Sequence, residues 1–280
     1  MTDALRRIVE RKRREVEAAQ EALPQHVLVQ QMLAGVEPRR NLRAALGGRE
    51  LRLIAEARRP PVEAATARLM FDPRFVAQEF AGAGAAAIAV APDDPDVGSE
   101  LHLLRRARRY MALPVIAWDW FVDEYQVYQA WRYDADAVAL TVGLVDDDTL
   151  QQMVRAAGKL RMTPVIVVRD GFEIDSALAA HATVVAIENR DPDSGESDLS
   201  VTERLARHIP GEVLVISAHG IVSREDAERV AAAGAEGALF EPPANYELAR
   251  DAIRDLRGVL APGRDADGRP RPPEHPDEES

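Results

Sequence analysis

Cysteine is absent from this 280-residue chain, which excludes disulfides, thiolate metal sites and a cysteine nucleophile. Lysine is nearly absent. Lys12 and Lys159 stand alone among 35 Lys and Arg residues, so 33 are arginine, and chemistry through a lysine amine has two candidates. No apolar run approaches the roughly 20 residues a membrane-spanning helix needs. The charged start MTDALRRIVERKRREVEAAQ does not have the form of a secretory signal. The expectation is a cytoplasmic protein with no membrane partner. Positive charge is also in deficit: 47 acids against 35 bases give a net charge of −12, which argues against a general nucleic-acid binder.

What the chain does have is the balance of a folded protein, 46% hydrophobic and 29% charged, long enough for one large domain or two small ones. Short runs rich in Val, Ile, Ala and Leu recur at 51–57, 85–91, 114–119, 137–143, 164–170, 184–190, 213–219 and 237–241. They lack strict alternation, as expected of parallel strands buried on both faces. Amphipathic stretches such as DTLQQMVRAAGKLRM and SREDAERVAAAG lie between them. Eight strands alternating with helices predict a (β/α)8 TIM barrel, an α/β fold; with no GxGxxG turn, closure is favoured over a doubly wound sheet. Residues 1–45 are expected to form helices at 4–21 and about 25–34 packed on one end of the barrel. The barrel takes 46–260, and the Pro-, Gly- and charge-rich 261–280 is expected to be a disordered tail.

In such barrels chemistry gathers at the C-terminal ends of the strands. Those ends supply Glu56 and Arg58, Asp93 and Asp94, Trp118 and Asp119, Thr141, Arg169 and Asp170, Glu188 and Arg190, His219, and Glu241. Neither lysine falls there, so the mouth is expected to be rich in carboxylates, with a few arginines, one histidine and no ammonium. Plainer readings stand beside the functional ones. Asp119 and Asp170 suit helix caps, Arg169 suits a rim ion pair, Trp118 a plug, and His219 before Gly220 a turn. Carboxylates with one imidazole also suit a divalent cation such as Mg²⁺. No ligand-spacing motif supports one, and no cofactor is expected.

Several segments resemble the indole-3-glycerol phosphate synthase family: ALRRIVERKRREV, LRLIAEARR, FDPRFVAQEFAGAGAAAIAV, LPVIAWDWFVDEYQVYQAWRYDADAVAL, VVAIENRD and VLVISAHGIVSREDAERVAAAGAEGALF. The resemblance runs from residue 4 to about 258. It implies the barrel fold and a reaction that joins decarboxylation to ring closure, turning carboxyphenylamino-deoxyribulose phosphate into indole glycerol phosphate. It also implies functional residues that this chain replaces. Trp118 stands where the family's third strand carries a general-acid lysine, and Val167 where its fifth carries a general-base glutamate. Glu188 replaces a substrate-binding asparagine, while Arg190 keeps its place. Ala218 and His219 replace a glutamate and a serine, and Arg58 replaces a lysine after the retained Glu56. The phosphate-cradling segments read Pro61-Val62-Glu63-Ala64-Ala65 and Glu241-Pro242-Pro243, poor in backbone donors.

These replacements lead to the expectation of a repurposed lyase or cyclase. It would act by acid–base chemistry on a small hydrophobic or aromatic substrate without a phosphate handle. Glu56, Glu188 and His219 would be catalytic, with Arg58, Trp118, Asp119, Arg169, Arg190 and Glu241 binding substrate. A non-catalytic binding partner and a retained synthase are the alternatives. The oligomeric expectation is a monomer or homodimer.

Overall fold

The computed structural model describes residues 2–32, 38–60, 68, 71–94, 98–243 and 246–270. Eight parallel strands close into a barrel: β1 (Arg52–Arg58), β2 (Ala87–Ala91), β3 (Val115–Ala117), β4 (Ala137–Thr141), β5 (Thr163–Val168), β6 (Val184–Glu188), β7 (Leu214–Ala218) and β8 (Gly237–Phe240). Each pairs with its neighbours in sequence, and β1 closes on β8 with Arg52 opposite Gly237 and Ala55 opposite Phe240. The expected fold class is the observed one.

Strand alternation separates two cores. Ile54, Ala89, Ile116, Ala139, Val165, Ala186, Ile216 and Leu239 fill the barrel interior, mostly with small or β-branched side chains. The opposite faces of the same strands pack against the surrounding helices, as with Leu53, Val90, Val138, Ile187 and Val215. Two residues further along each interior row lie Glu56, Trp118, Thr141, Val167 and Glu188, at the C-terminal mouth.

Three helices precede the barrel: α1 (Asp3–Ala22), α2 (Gln25–Met32) and α3 (Leu42–Leu46). Leu42 and Leu46 of α3 join the interior core and plug the bottom of the barrel. The buried stripe of α1 reads Leu5, Val9, Lys12, Val16, a helical spacing in which the third member is a lysine. Around the barrel follow α4 (Pro73–Ala83), α5 (His102–Arg108), α6 (Glu124–Arg132), α7 (Asp147–Lys159), α8 (Gly171–Ala179), α9 (Ser200–Leu205), α10 (Arg224–Ala232) and α11 (Tyr246–Leu256). Five of them start on a side-chain cap: Asp72, Asp123, Asp146, Asp170 and Ser223 each accept a hydrogen bond from a first-turn amide. Asp170 is therefore a cap, whereas the cap before α6 is Asp123 and not Asp119.

Past residue 260 the chain does not leave the barrel at once, as the sequence suggested. Ala261 donates its amide to the Arg49 carbonyl, and Arg264 is buried, its guanidinium donating to the carbonyls of Ile209, Val213 and Gly234. A low apolar content hid this segment because its anchor is an arginine satisfied by backbone acceptors. Residues 271–280 lie outside the described residues.

Candidate active site

A cavity of about 210 Å³ opens at the C-terminal mouth, lined among others by Arg58, Trp118, Asp119, Arg169, Glu188 and His219. Its polar centre is an imidazole held between two carboxylates. His219 Nδ1 lies 2.8 and 3.0 Å from the two oxygens of Glu188, and Nε2 lies 3.4 Å from Glu56 Oε2. Glu56 in turn accepts from Arg58 Nε and Nη2 at 3.1 and 2.6 Å. Trp118 presents its ring edge-on to the imidazole, with centroids 6.0 Å apart and planes at 81°.

Charge follows from this geometry. Burial by itself disfavours the imidazolium, but the hydrogen bonds and charges of Glu188 and Glu56 outweigh it and raise His219 to about 9. Burial likewise opposes ionisation of Glu56, yet Arg58 and His219 bring it down to about 2. The site at neutral pH thus holds a charged imidazole hydrogen-bonded to Glu188 through Nδ1, with the Glu56 carboxylate 3.4 Å from its Nε2 as an ion pair without a hydrogen bond. The order of strand ends around the mouth would put Glu241, on the strand next to that of His219, beside the ring, but the second carboxylate there is Glu56. Glu241 lies outward, bonded to Arg190 Nη2 at 2.6 Å.

His219 is one of four non-glycine residues in the described chain with positive φ, at 63°, and Gly220 follows at 81°. The two close the turn after β7. A Cβ on Gly220 would lie 2.8 Å from that of Ser197, so the β6–α9 loop leaves room there for glycine alone.

A second charged cluster forms the adjoining wall. Lys12 reaches in from α1 with its side chain fully buried, its ammonium 2.8 Å from both Asp93 Oδ1 and Asp119 Oδ1. Arg11 pairs with Asp93 at 2.7 Å, and Asp119 also accepts from Ser99 Oγ and the Trp120 amide. Desolvation opposes charge on Lys12, but Asp119 and Asp93 overcome it and raise its pKa; Asp93 is correspondingly lowered. The expectation of a mouth without an ammonium nearby is thereby corrected. It considered strand ends alone, while this lysine arrives on a helix that precedes the barrel. The available signal was its place in an apolar helical stripe.

The remaining candidates divide. Arg169 lines the cavity with its Nε buried and without a hydrogen-bond partner, so it is not the satisfied rim pair that its sequence neighbours suggested. Arg190 lines it too, its amide donating to Glu188 Oε1 at 2.9 Å. Glu56 does not line the cavity but lies behind the imidazole with a fully buried side chain. Val167 is buried at the cavity floor. Of the two phosphate segments, Glu241–Pro243 is described, while Pro61, Val62, Glu63, Ala64 and Ala65 lie outside the described residues. Among the described residues no group of three or more His, Asp or Glu side chains is arranged to hold a metal ion, and no helix is long and apolar enough to cross a membrane. Asn189 and Thr202, neither of them a candidate from sequence, are buried beside His219.

Comparison with known proteins gives a consistent result. The family model of indole-3-glycerol phosphate synthase matches residues 5–241. The indole-3-glycerol phosphate synthase of Dehalococcoides mccartyi (strain CBDB1) is 33% identical over 84% of this chain and 92% of its own length. That of Acidithiobacillus ferrooxidans (strain ATCC 53993 / BNL-5-31) is 34% identical over 91% and 99%. Among solved structures, one described as "Native KDPGal structure" aligns with a TM-score of 0.52 at 16% identity, covering 74% of this chain and 92% of that one, a likeness of fold alone. These findings overturn the expectation of a barrel repurposed for an unphosphorylated substrate, because relatives so named match almost end to end. They give no support to a non-catalytic partner either. The error lay in taking the changed strand-end residues as a changed reaction, when the match to the family runs along nearly the whole chain.

Proposed function

Because the chain belongs to the indole-3-glycerol phosphate synthase family, we propose that it carries out the synthase reaction, with His219 as the proton donor. Closing the ring of carboxyphenylamino-deoxyribulose phosphate joins an aryl carbon to the ketone carbon and expels the aryl carboxylate as CO₂. The ketone oxygen takes one proton as the bond forms, and its hydroxyl takes another as it leaves as water. A methylene proton is then lost to a base, which makes the new ring aromatic. The observation that carries the reading is the imidazolium clamped between Glu188 and Glu56 at the cavity wall. It supplies an acid charged at neutral pH beside a carboxylate able to take the proton back.

Within this reading the roles expected from sequence separate. Glu188 shares the cavity wall with His219 and serves as the base, while Glu56, behind the ring, keeps the imidazole charged and oriented. Arg58, Arg169 and Arg190 face a substrate that is anionic at both ends, and Arg169 has a donor to spare. Trp118 and Asp119 flank the ring to be closed. The test is to incubate the purified protein with carboxyphenylamino-deoxyribulose phosphate and follow indole fluorescence. Turnover by the natural sequence, reduced at least about 100-fold in His219→Asn, is the expected result. No product from the natural sequence at any pH between 6 and 9 overturns the reading.

A further inference from the structure

Strand alternation makes the orientation of His219 a problem in itself. Along β7, Leu214, Ile216 and Ala218 face the barrel interior, while Val215 and Ser217 face outward. Continued extended backbone would send residue 219 outward with Ser217. Its left-handed conformation turns the ring inward instead, a conformation that costs a non-glycine residue energy and persists only where its surroundings hold it.

One side chain gathers the backbone on either side of that turn. Asn189, directly after Glu188, donates its amide Nδ2 to Ser217 Oγ at 2.9 Å, to the Ala218 carbonyl at 3.0 Å and to the His219 carbonyl at 3.1 Å. Its Oδ1 accepts from the backbone and the hydroxyl of Thr202, at 3.2 and 2.8 Å. Thr202 Oγ1 and Ser217 Oγ are 2.8 Å apart. The threonine hydrogen is given to Asn189, so the serine hydroxyl must donate to the threonine. The circuit therefore runs from amide N–H to Ser217, from Ser217 to Thr202, and from Thr202 back to the amide oxygen. The carbonyls of Ala218 and His219 on one side and the Thr202 N–H on the other fix which end of the amide is nitrogen, and Asn189, Thr202 and Ser217 are all buried. The Asn189 backbone joins the same turn, its amide donating to the Ala218 carbonyl and its carbonyl accepting from Asp198.

We propose that Asn189 is a positioning residue for the synthase reaction: by tying the Ser217–His219 backbone to the residue after Glu188, it holds the imidazole in the cavity and within reach of Glu188. The inference rests on the assignment of His219 as the proton donor. The charged groups facing the ring are Glu188 on β6 and Glu56 on β1, with Arg58 behind Glu56, Arg169 across the cavity, and the Arg190–Glu241 pair further out. A serine or alanine at 189 leaves all of them in place, yet frees the turn. A purely structural amide would alter stability but not the titration of one histidine in the folded protein.

The experiment is an NMR titration of the His219 ring in the natural sequence, Asn189→Ala and Asn189→Ser, alongside kcat and KM across pH. The expected result is a His219 pKa at least one unit lower in the variants than in the natural protein. The expected kinetic change is a kcat at least tenfold lower, with KM within about threefold. If Asn189→Ala does not fold, Thr202→Val removes the hydroxyl that donates to the amide oxygen and bridges to Ser217, and is expected to shift the titration in the same direction. An unchanged His219 titration in the folded variants overturns the inference. That outcome is distinct from failure of the synthase reading, which is an absence of product from the natural protein and leaves the titration arm to decide the role of Asn189.

Discussion

His219 has no intrinsic reason to be charged in a buried site; the cation exists because two carboxylates face its two nitrogens. Glu188→Gln keeps the shape of one partner and removes its charge, so the His219 pKa is expected to fall from about 9. The alkaline limb of the pH–rate profile should move down with it. A limb that stays put would show that His219 is not the acid. Arg169 tests the other half of the assignment. With its Nε unpaired at the cavity wall, Arg169→Ala should raise KM for the phosphorylated substrate about tenfold, the worth of one charge-assisted hydrogen bond, with a smaller effect on kcat. An unchanged KM would remove Arg169 from substrate binding. Much of this centre was legible beforehand. Their place at C-terminal strand ends put Glu56, Trp118 and Glu188 at the mouth, and the lone strand-end histidine stood out. What strand order did not show was that Glu56, from two strands away, and not Glu241 on the adjacent strand, meets the second ring nitrogen, since the left-handed turn at His219 sets where the ring points.

α1 packs on the barrel and also borders the site, where Ile8 lines the cavity and Lys12 holds the lining carboxylates Asp93 and Asp119. Its stripe of Leu5, Val9 and Val16 is apolar, and Lys12 replaces the remaining member with an ammonium bonded to Asp93 and Asp119. Arginine serves almost everywhere else in this chain, but a compact ammonium reaches two carboxylates from one enclosed point, where a planar guanidinium would need more room. Lys12→Met leaves both acids without that partner and is expected to cost about 3–5 kcal/mol. Lys159→Met on the exposed end of α7 should cost within about 0.5 kcal/mol. Urea unfolding of the two variants compares them directly, and equal midpoints would mean that the buried cluster contributes nothing to the docking of α1. The positions of the eight strands and of α1 were readable from runs and periodicity. The packed segment around Arg264 was not, since hydrogen bonds from one arginine to backbone carbonyls leave no pattern in composition.

The net charge of −12 describes the chain as a whole but misdescribes the barrel mouth. There Glu56, Asp93, Asp119, Glu188 and Glu241 meet Arg11, Lys12, Arg58, Arg169, Arg190 and a protonated His219. The proposed anionic substrate would thus approach a locally balanced surface on an acidic protein, which a sum over the sequence conceals. The same pairing ties global stability to pH. His219 is raised from 6.5 to about 9 in the fold, so its contribution is complete below about 6.5 and fades as pH rises through 9. Glu56 is lowered from 4.5 to about 2, so its contribution is complete above about 4.5 and fades as pH falls towards 2. Both are fully present only between these limits. Thermal unfolding of the natural protein should therefore lose stability from pH 6.5 to 9, and His219→Gln should flatten that slope and reduce the decline below pH 4.5 without abolishing it, because Arg58 still holds Glu56 ionised. If the variant keeps the natural protein's alkaline slope, the imidazolium is not the group whose proton the fold holds.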